Sequence, residues 1–232
     1  MVNSYPAAVL FDFDGTLVDT EPYWMRGEID MLAECGVPWG VEQASELCGT
    51  SREYSQSVLL AQLAAHGVKV DDIDLDEFYG ELCGRVVDQI NRFGANWLPG
   101  VPALLEDIKA HNIPCAVVSA SPSSVLAAGL ARFPDGVISV VVDGDMVAES
   151  KPQPDGYLLA AKRLGVRAAD CVVIEDTISG ATAGRAAGAV VVAVPGQHSL
   201  PEAPGQVIIP SLDGVDAARL GELFYQVRGQ VA

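Results

Sequence analysis

The chain has 232 residues, half of them hydrophobic, enough for one large α/β domain or a core domain plus a smaller one around a sizeable packed interior. Its 14 Lys and Arg stand against 31 Asp and Glu, a formal charge of −17. So acidic a surface argues against nucleic-acid or anionic-membrane partners, which need a basic face, and leaves any anionic ligand to be captured by local cations.

The opening MVNSYPAAVLFDFDG has no basic leader and runs straight into acids, so no signal peptide is expected. No apolar run approaches the roughly 20 residues of a membrane span. Cysteines at positions 35, 48, 83, 115 and 171 are odd in number and lack C-x-x-C spacing, which fits reduced, mostly buried thiols. A soluble, cytoplasmic protein is expected.

The first strand ends in VLFDFDGTLVDT, residues 9–20. After it, residues 21–94 read as helices: EPYWMRGEIDMLAECG, TSREYSQSVLLAQLAAHG and DLDEFYGELCGRVVDQINRFG each stop at a glycine. Thr50 and Glu53 have the spacing of a capping box. The expected organisation is an all-helical cap over residues 18–95, inserted into an α/β core of residues 1–17 and 96–232. Hinges are expected near residues 16–20 and 94–99. Beyond the insert, the runs IPCAVVS, GVISVVVDG, CVVIED and AVVVAV are continuously apolar and alternate with helical stretches. That pattern belongs to a doubly wound parallel, Rossmann-like sheet covered on both faces.

Ligand sites in such sheets lie at the carboxyl ends of the strands. Four strand ends or their loops carry polar residues: Asp12 and Asp14, then Ser119, then Lys151, then Glu175 and Asp176. Period-two alternation sets Asp12 and Asp14 on one side and Phe13 on the other. Four converging carboxylates repel one another unless a hard cation joins them, and an all-oxygen set suits Mg2+. Lys151 and Mg2+ would together supply the positive charge a phosphate needs. Ser119 precedes a helix beginning near Pro122, so its hydroxyl and the Ala120 amide can cradle a phosphate. Gly180, Gly184 and Gly188 recur every four residues, as for close packing of a helix on the sheet, and are no dinucleotide fingerprint.

In order and spacing, DFDGTLVDT, the serine of VVSAS, the lysine of KPQPDGY and the acidic pair of IEDTISGATAGRAAG resemble the four motifs of the haloacid dehalogenase superfamily. The resemblance covers nearly the whole chain. It implies a nucleophilic Asp12 that becomes an aspartyl-phosphate, and an Asp14 that serves as acid and then base. It also implies that Ser119 and Lys151 hold the phosphoryl oxygens. Mg2+ would rest on Asp12, the Asp14 carbonyl and Asp176, with Glu175 in support.

The second aspartate, Asp14, favours phosphoryl over carbon–halogen chemistry, and the cap's lone lysine, Lys69, argues against a phosphonate-cleaving Schiff base. Receiver modules of signalling systems order these residue types differently. The segment GTSREYS, residues 49–55, resembles a stretch of β-phosphoglucomutase whose arginine binds the phosphate that is not transferred, which would be Arg52 here. Trp24 stands where that mutase has a histidine, ten residues after the second aspartate. The expectation is therefore a Mg2+-dependent phosphatase of a small phosphorylated metabolite such as a sugar phosphate, with a mutase as the alternative. Trp24 and Arg52 are the candidate substrate contacts from the cap. The particular substrate and the oligomeric state are left open.

Overall fold

The computed structural model describes residues 5–196 and 199–231. The chain begins with β1 (Ala8–Phe11), all of it buried, and the short β2 (Val18–Asp19). Four helices follow: α1 (Glu21–Glu34), α2 (Val41–Ser45), α3 (Arg52–Ala65) and α4 (Leu75–Phe93). Next, β3 (Asn96–Trp97) returns to pair antiparallel with β2. Thereafter come α5 (Val101–Ala110), β4 (Cys115–Val118), α6 (Ser123–Leu130), β5 (Val140–Val142) and α7 (Asp155–Leu164). The chain finishes with β6 (Cys171–Glu175), α8 (Ile178–Ala186), β7 (Val190–Ala193), β8 (Gln206–Ile208) and α9 (Ala217–Val231).

The main sheet has the order β5-β4-β1-β6-β7-β8, with every neighbouring pair parallel. Its apolar runs serve two faces at once. Val9 and Phe11 enter a core with Leu104, Ile108, Leu220 and Leu223 of α5 and α9. Ala8 and Leu10 enter a second core with Tyr157, Ala160, Ala181 and Ala183 of α7 and α8. Alternate residues of one strand thus both find apolar cover, so nothing in the strand needs to be polar. The strand order reverses direction at β1, with β4 on one side and β6 on the other. That switch point opens a crevice at the carboxyl ends, where a ligand can enter.

The helices α1 to α4 have an apolar centre of their own, including Met31, Leu32, Trp39, Leu59, Leu63 and Leu82. A second cluster joins Tyr23 of α1 and Val86 and Ile90 of α4 to Val125 of α6. The paired β2 and β3 lie where hinges were expected; strands of two residues are too short to show any periodicity in a sequence. The Thr50–Glu53 capping box does not form. The Thr50 hydroxyl donates to the Leu47 carbonyl at 2.7 Å instead, and Ser51 is the N-cap, accepting from the Tyr54 amide at 3.3 Å. Gly188 is a further correction: it lies past the end of α8 with a φ of 82° and does not pack on the sheet.

Candidate active site

Asp12 sits one residue past β1, and its amide donates to the Ile174 carbonyl at 3.0 Å. Phe13 turns away into the core, where its ring faces Phe133 at a centroid distance of 6.3 Å. The next turn requires a glycine. Gly15 has a φ of +79°, and a Cβ there would stand 2.3 Å from Asp176 Oδ2. This close approach brings the loop after β1 against the end of β6, and Thr16 Oγ1 completes the join by donating to Asp176 Oδ1 at 3.1 Å.

Lys151, in the loop before α7, donates from Nζ to Asp12 Oδ1 and, at 2.6 Å, to Glu175 Oε1. Glu175 is fully buried and its acceptors are well used. Oε1 also accepts from the Tyr157 hydroxyl at 2.7 Å. Oε2 accepts from the amides of Asp176 and Thr177, each at 3.2 Å, and from the Thr177 hydroxyl at 3.0 Å. Gly180 makes room for this: a Cβ on it would lie 1.7 Å from Glu175 Oε1. Of the three periodic glycines, Gly180 therefore serves the site. Gly184 serves helix-on-sheet packing, with Val191 2.9 Å and Val173 3.0 Å from where its Cβ would be.

Asp12, Glu175 and Asp176 each offer an oxygen within 4.8 Å of the others. Burial, together with the neighbouring carboxylates, pushes Asp12 well above the usual carboxylate range, against the pull of Lys151. Burial first and Glu175 second raise Asp176 to about 7. Burial works against the Lys151 ammonium, but Asp12 and Glu175 outweigh it and hold the lysine above its ordinary value. Three buried carboxylates facing one ammonium leave negative charge uncompensated, and an oxygen-only donor set of this kind fits a hard divalent cation.

The Asp14 carboxylate is not in that cluster. Its Oδ1 accepts from the Thr20 hydroxyl at 2.5 Å and from Trp24 Nε1 at 3.5 Å. Its Oδ2 accepts from Ser119 Oγ at 3.1 Å and Ser121 Oγ at 2.7 Å. The expected convergence of four carboxylates is thus a division into three and one, so a metal ligand from Asp14 would be its backbone carbonyl. Ser119 Oγ also accepts from the Ser121 amide at 2.9 Å, and Ala120 lies exposed between the two serines.

Ser121, Thr16, Thr20 and Tyr157 were not singled out in the sequence. Ser121 repeats Ser119 two residues on, Thr16 is the threonine of DxDGT and Thr20 closes DFDGTLVDT, so a signal existed for these three. Tyr157, in an amphipathic helix, had none.

A cavity of about 470 Å3 joins these strand ends to the helices. Asp12, Asp14, Lys151 and Asp176 line one side, and Trp24 and Arg52 line the other. Arg52, the first residue of α3, donates from Nε to Gln56 Oε1 at 3.3 Å and pairs with Asp76. Its guanidinium lies 4.3 Å from the centroid of the Tyr79 ring. The Trp24 ring faces Tyr79 nearly parallel, at 6.3 Å. No helix among the described residues is long and apolar enough to cross a membrane.

A family model described as haloacid dehalogenase-like hydrolase matches residues 6–188. The bifunctional riboflavin kinase/FMN phosphatase of Arabidopsis thaliana is 34% identical over 201 residues, 84% of this chain and 49% of that enzyme, so the chain spans about half the plant protein. Hexitol phosphatase A of Escherichia coli is 31% identical over 191 residues, 80% of this chain and 81% of that one. Among solved structures, a CbbY variant from Rhodobacter sphaeroides in complex with xylulose-(1,5)bisphosphate shares the fold with a TM-score of 0.78. It is 27% identical, and the match covers 93% of this chain and 99% of that chain. The agreement of motif order, sheet topology and family model makes the chain a member of the haloacid dehalogenase-like hydrolase family.

Proposed function

We propose that the protein is a phosphatase of a small phosphorylated metabolite, acting through an aspartyl-phosphate on Asp12. The observation that carries this reading is the pairing of a buried Asp12 with Lys151 in a cavity where Asp14, two residues on, stands apart among hydroxyl groups. An Asp12 oxygen attacks phosphorus as the bond from phosphorus to the ester oxygen breaks. Asp14 gives a proton to the leaving oxygen, then takes one from the water that attacks the aspartyl-phosphate. Inorganic phosphate leaves and Asp12 is restored. Lys151, held by Glu175, offsets charge on the phosphoryl oxygens, and Ser119 and the Ala120 amide bind them. Catalysis of this type is mainly positioning and charge neutralisation.

Asp12, Asp176 and the Asp14 carbonyl would hold Mg2+, with Glu175 behind them. The ion, when bound, supplies positive charge that offsets the phosphoryl group's own. Residues 18–95 act as a cap that shelters the site and reads the rest of the substrate, on a core formed by residues 1–17 and 96–232. The phosphatase names of the Arabidopsis and E. coli relatives support this reading.

A phosphosugar mutase is the second reading, favoured by one observation: Arg52 lines the same cavity as Asp12. Against it stands Trp24, whose indole has one N–H donor and no acid or base function near neutral pH. The two readings part on β-glucose 1-phosphate with a catalytic amount of the bisphosphate activator. Phosphate release exceeding glucose 6-phosphate formation is expected, and isomerisation outrunning hydrolysis would overturn the phosphatase.

A further inference from the structure

One face of α1 lines the cavity: Glu21, Trp24, Met25 and Glu28 recur at i, i+3, i+4 and i+7. Thr20 and Trp24 both bond to Asp14, so the helix starts at the reacting end and runs away from it. Glu28 stands one turn beyond Trp24, about 6 Å further along the axis. It is only 5% exposed and shares the cavity lining with Met25, Ala44, Leu47 and Leu82. Its Oε2 accepts from Trp39 Nε1 at 3.4 Å, and no described group donates to Oε1. That acceptor is open to a donor entering the cavity, and burial of the side chain has raised the carboxyl to about 7 against the opposing hydrogen bond from Trp39. Phosphoryl transfer has no use for it.

Two cations are found among the described lining residues. Lys151 is committed to Asp12 and Glu175, and Arg52 is turned to Asp76, Gln56 and the face of Tyr79. The helical wall therefore presents an acceptor and no unpaired cation. Once ionised, above about pH 7, Glu28 would meet a second phosphate or a carboxylate on the substrate with its charge, whereas a hydroxyl would satisfy it.

We propose that Glu28 is a specificity-determining residue: it accepts hydrogen bonds from the hydroxyls of a neutral polyhydroxylated phosphate monoester and turns away esters bearing a second anionic group. The inference rests on the phosphatase reading. Its test is kcat/KM at about pH 8, where Glu28 is ionised, for wild type, E28Q and E28L on a hexitol monophosphate, the bisphosphate of a hexose and p-nitrophenyl phosphate, which has no hydroxyls to offer. Wild type is expected to prefer the monophosphate over the bisphosphate by at least about tenfold, the worth of one good hydrogen bond to a charged group. In E28L the ratio of hexitol monophosphate to p-nitrophenyl phosphate should fall about 10- to 100-fold, chiefly through KM. E28Q, the same shape without the charge, should narrow the discrimination against the bisphosphate. A wild-type preference for the bisphosphate, or unchanged ratios in E28Q, would overturn the role of Glu28 while leaving the phosphatase intact. Absence of phosphate release from all three esters would overturn both.

Discussion

The cavity has two walls built on opposite rules. At the strand ends each charged group meets partners: Lys151 bridges Asp12 and Glu175, Glu175 takes five donors, and Asp14 takes four. On the helical wall Glu28 keeps an unused acceptor, and Arg52 is bound to Asp76, which is 90% exposed. An ion pair that open to water contributes little to stability. Chemistry needs fixed geometry and so rests on a saturated network anchored to the sheet, while recognition can be left to groups whose partner arrives with the substrate.

The sharpest way to break this contrast is at the saturated wall. Asp12→Asn should abolish phosphate release, by at least about 10^4-fold, while far-UV circular dichroism stays unchanged, because the amide is nearly isosteric but not nucleophilic. Retention of a few per cent of activity would remove Asp12 from the nucleophile role.

A change one layer back should still be severe. In Gly180→Ala the new methyl would lie 1.7 Å from Glu175 Oε1, so Glu175 must move and take Lys151 with it. A misplacement of this size costs about 100-fold in kcat. Kinetics of the variant at saturating substrate measure it; near-normal kcat would mean that the site tolerates displacement of Glu175. Metal dependence belongs with this wall too. Exhaustive chelation should remove activity, and isothermal titration should show Mg2+ affinity falling further in Asp176→Ala than in Glu175→Gln, because the Glu175 oxygens are already occupied.

On the helical wall the expected effect is on stability and moves with pH. The carboxyl of Glu28 is raised from an ordinary 4.5 to about 7, so the folded state holds its proton more tightly than the unfolded chain. Its contribution to stability is fully present below pH 4.5 and is lost as pH rises through about 7. Glu28→Gln does not titrate, so its stability relative to wild type should rise across that window by about 1–3 kcal/mol. Urea melts of both proteins between pH 4.5 and 8 give the difference directly, and a gap independent of pH would show that Glu28 is not buried as a charge.

The smallest effect is expected where the walls touch. Trp24→Phe keeps the ring against Tyr79 but removes the long N–H contact to Asp14, and kcat should fall about fivefold with little change in KM. A change confined to KM would make Trp24 a substrate contact and not a holder of Asp14.

Much of the strand-end wall was legible because its residues come in tight motifs at the ends of apolar runs: Asp12 and Asp14 two apart, Ser119 before a helix, Glu175 and Asp176 closing CVVIED. Such runs announce a parallel sheet, and a parallel sheet brings its strand ends together whatever lies between them in sequence. Tyr157 and Glu28 were invisible for the converse reason. Each sits within an amphipathic helix, where a polar atom aimed at a site looks like any other residue of the pattern.

The alternation of strand and helix, the run of helices after the first strand and the residue types at the carboxyl edge could all be read along the chain, because apolar periodicity and short motifs are local properties. How those residues divide was settled by packing. Asp14 left the carboxylate cluster for Thr20, Ser119 and Ser121, Gly180 proved to make space for Glu175, and α1 turned Glu28 into the cavity. These are matters of side-chain direction and of space between segments as much as 105 or 107 residues apart, and they are set only when the sheet and the helices pack.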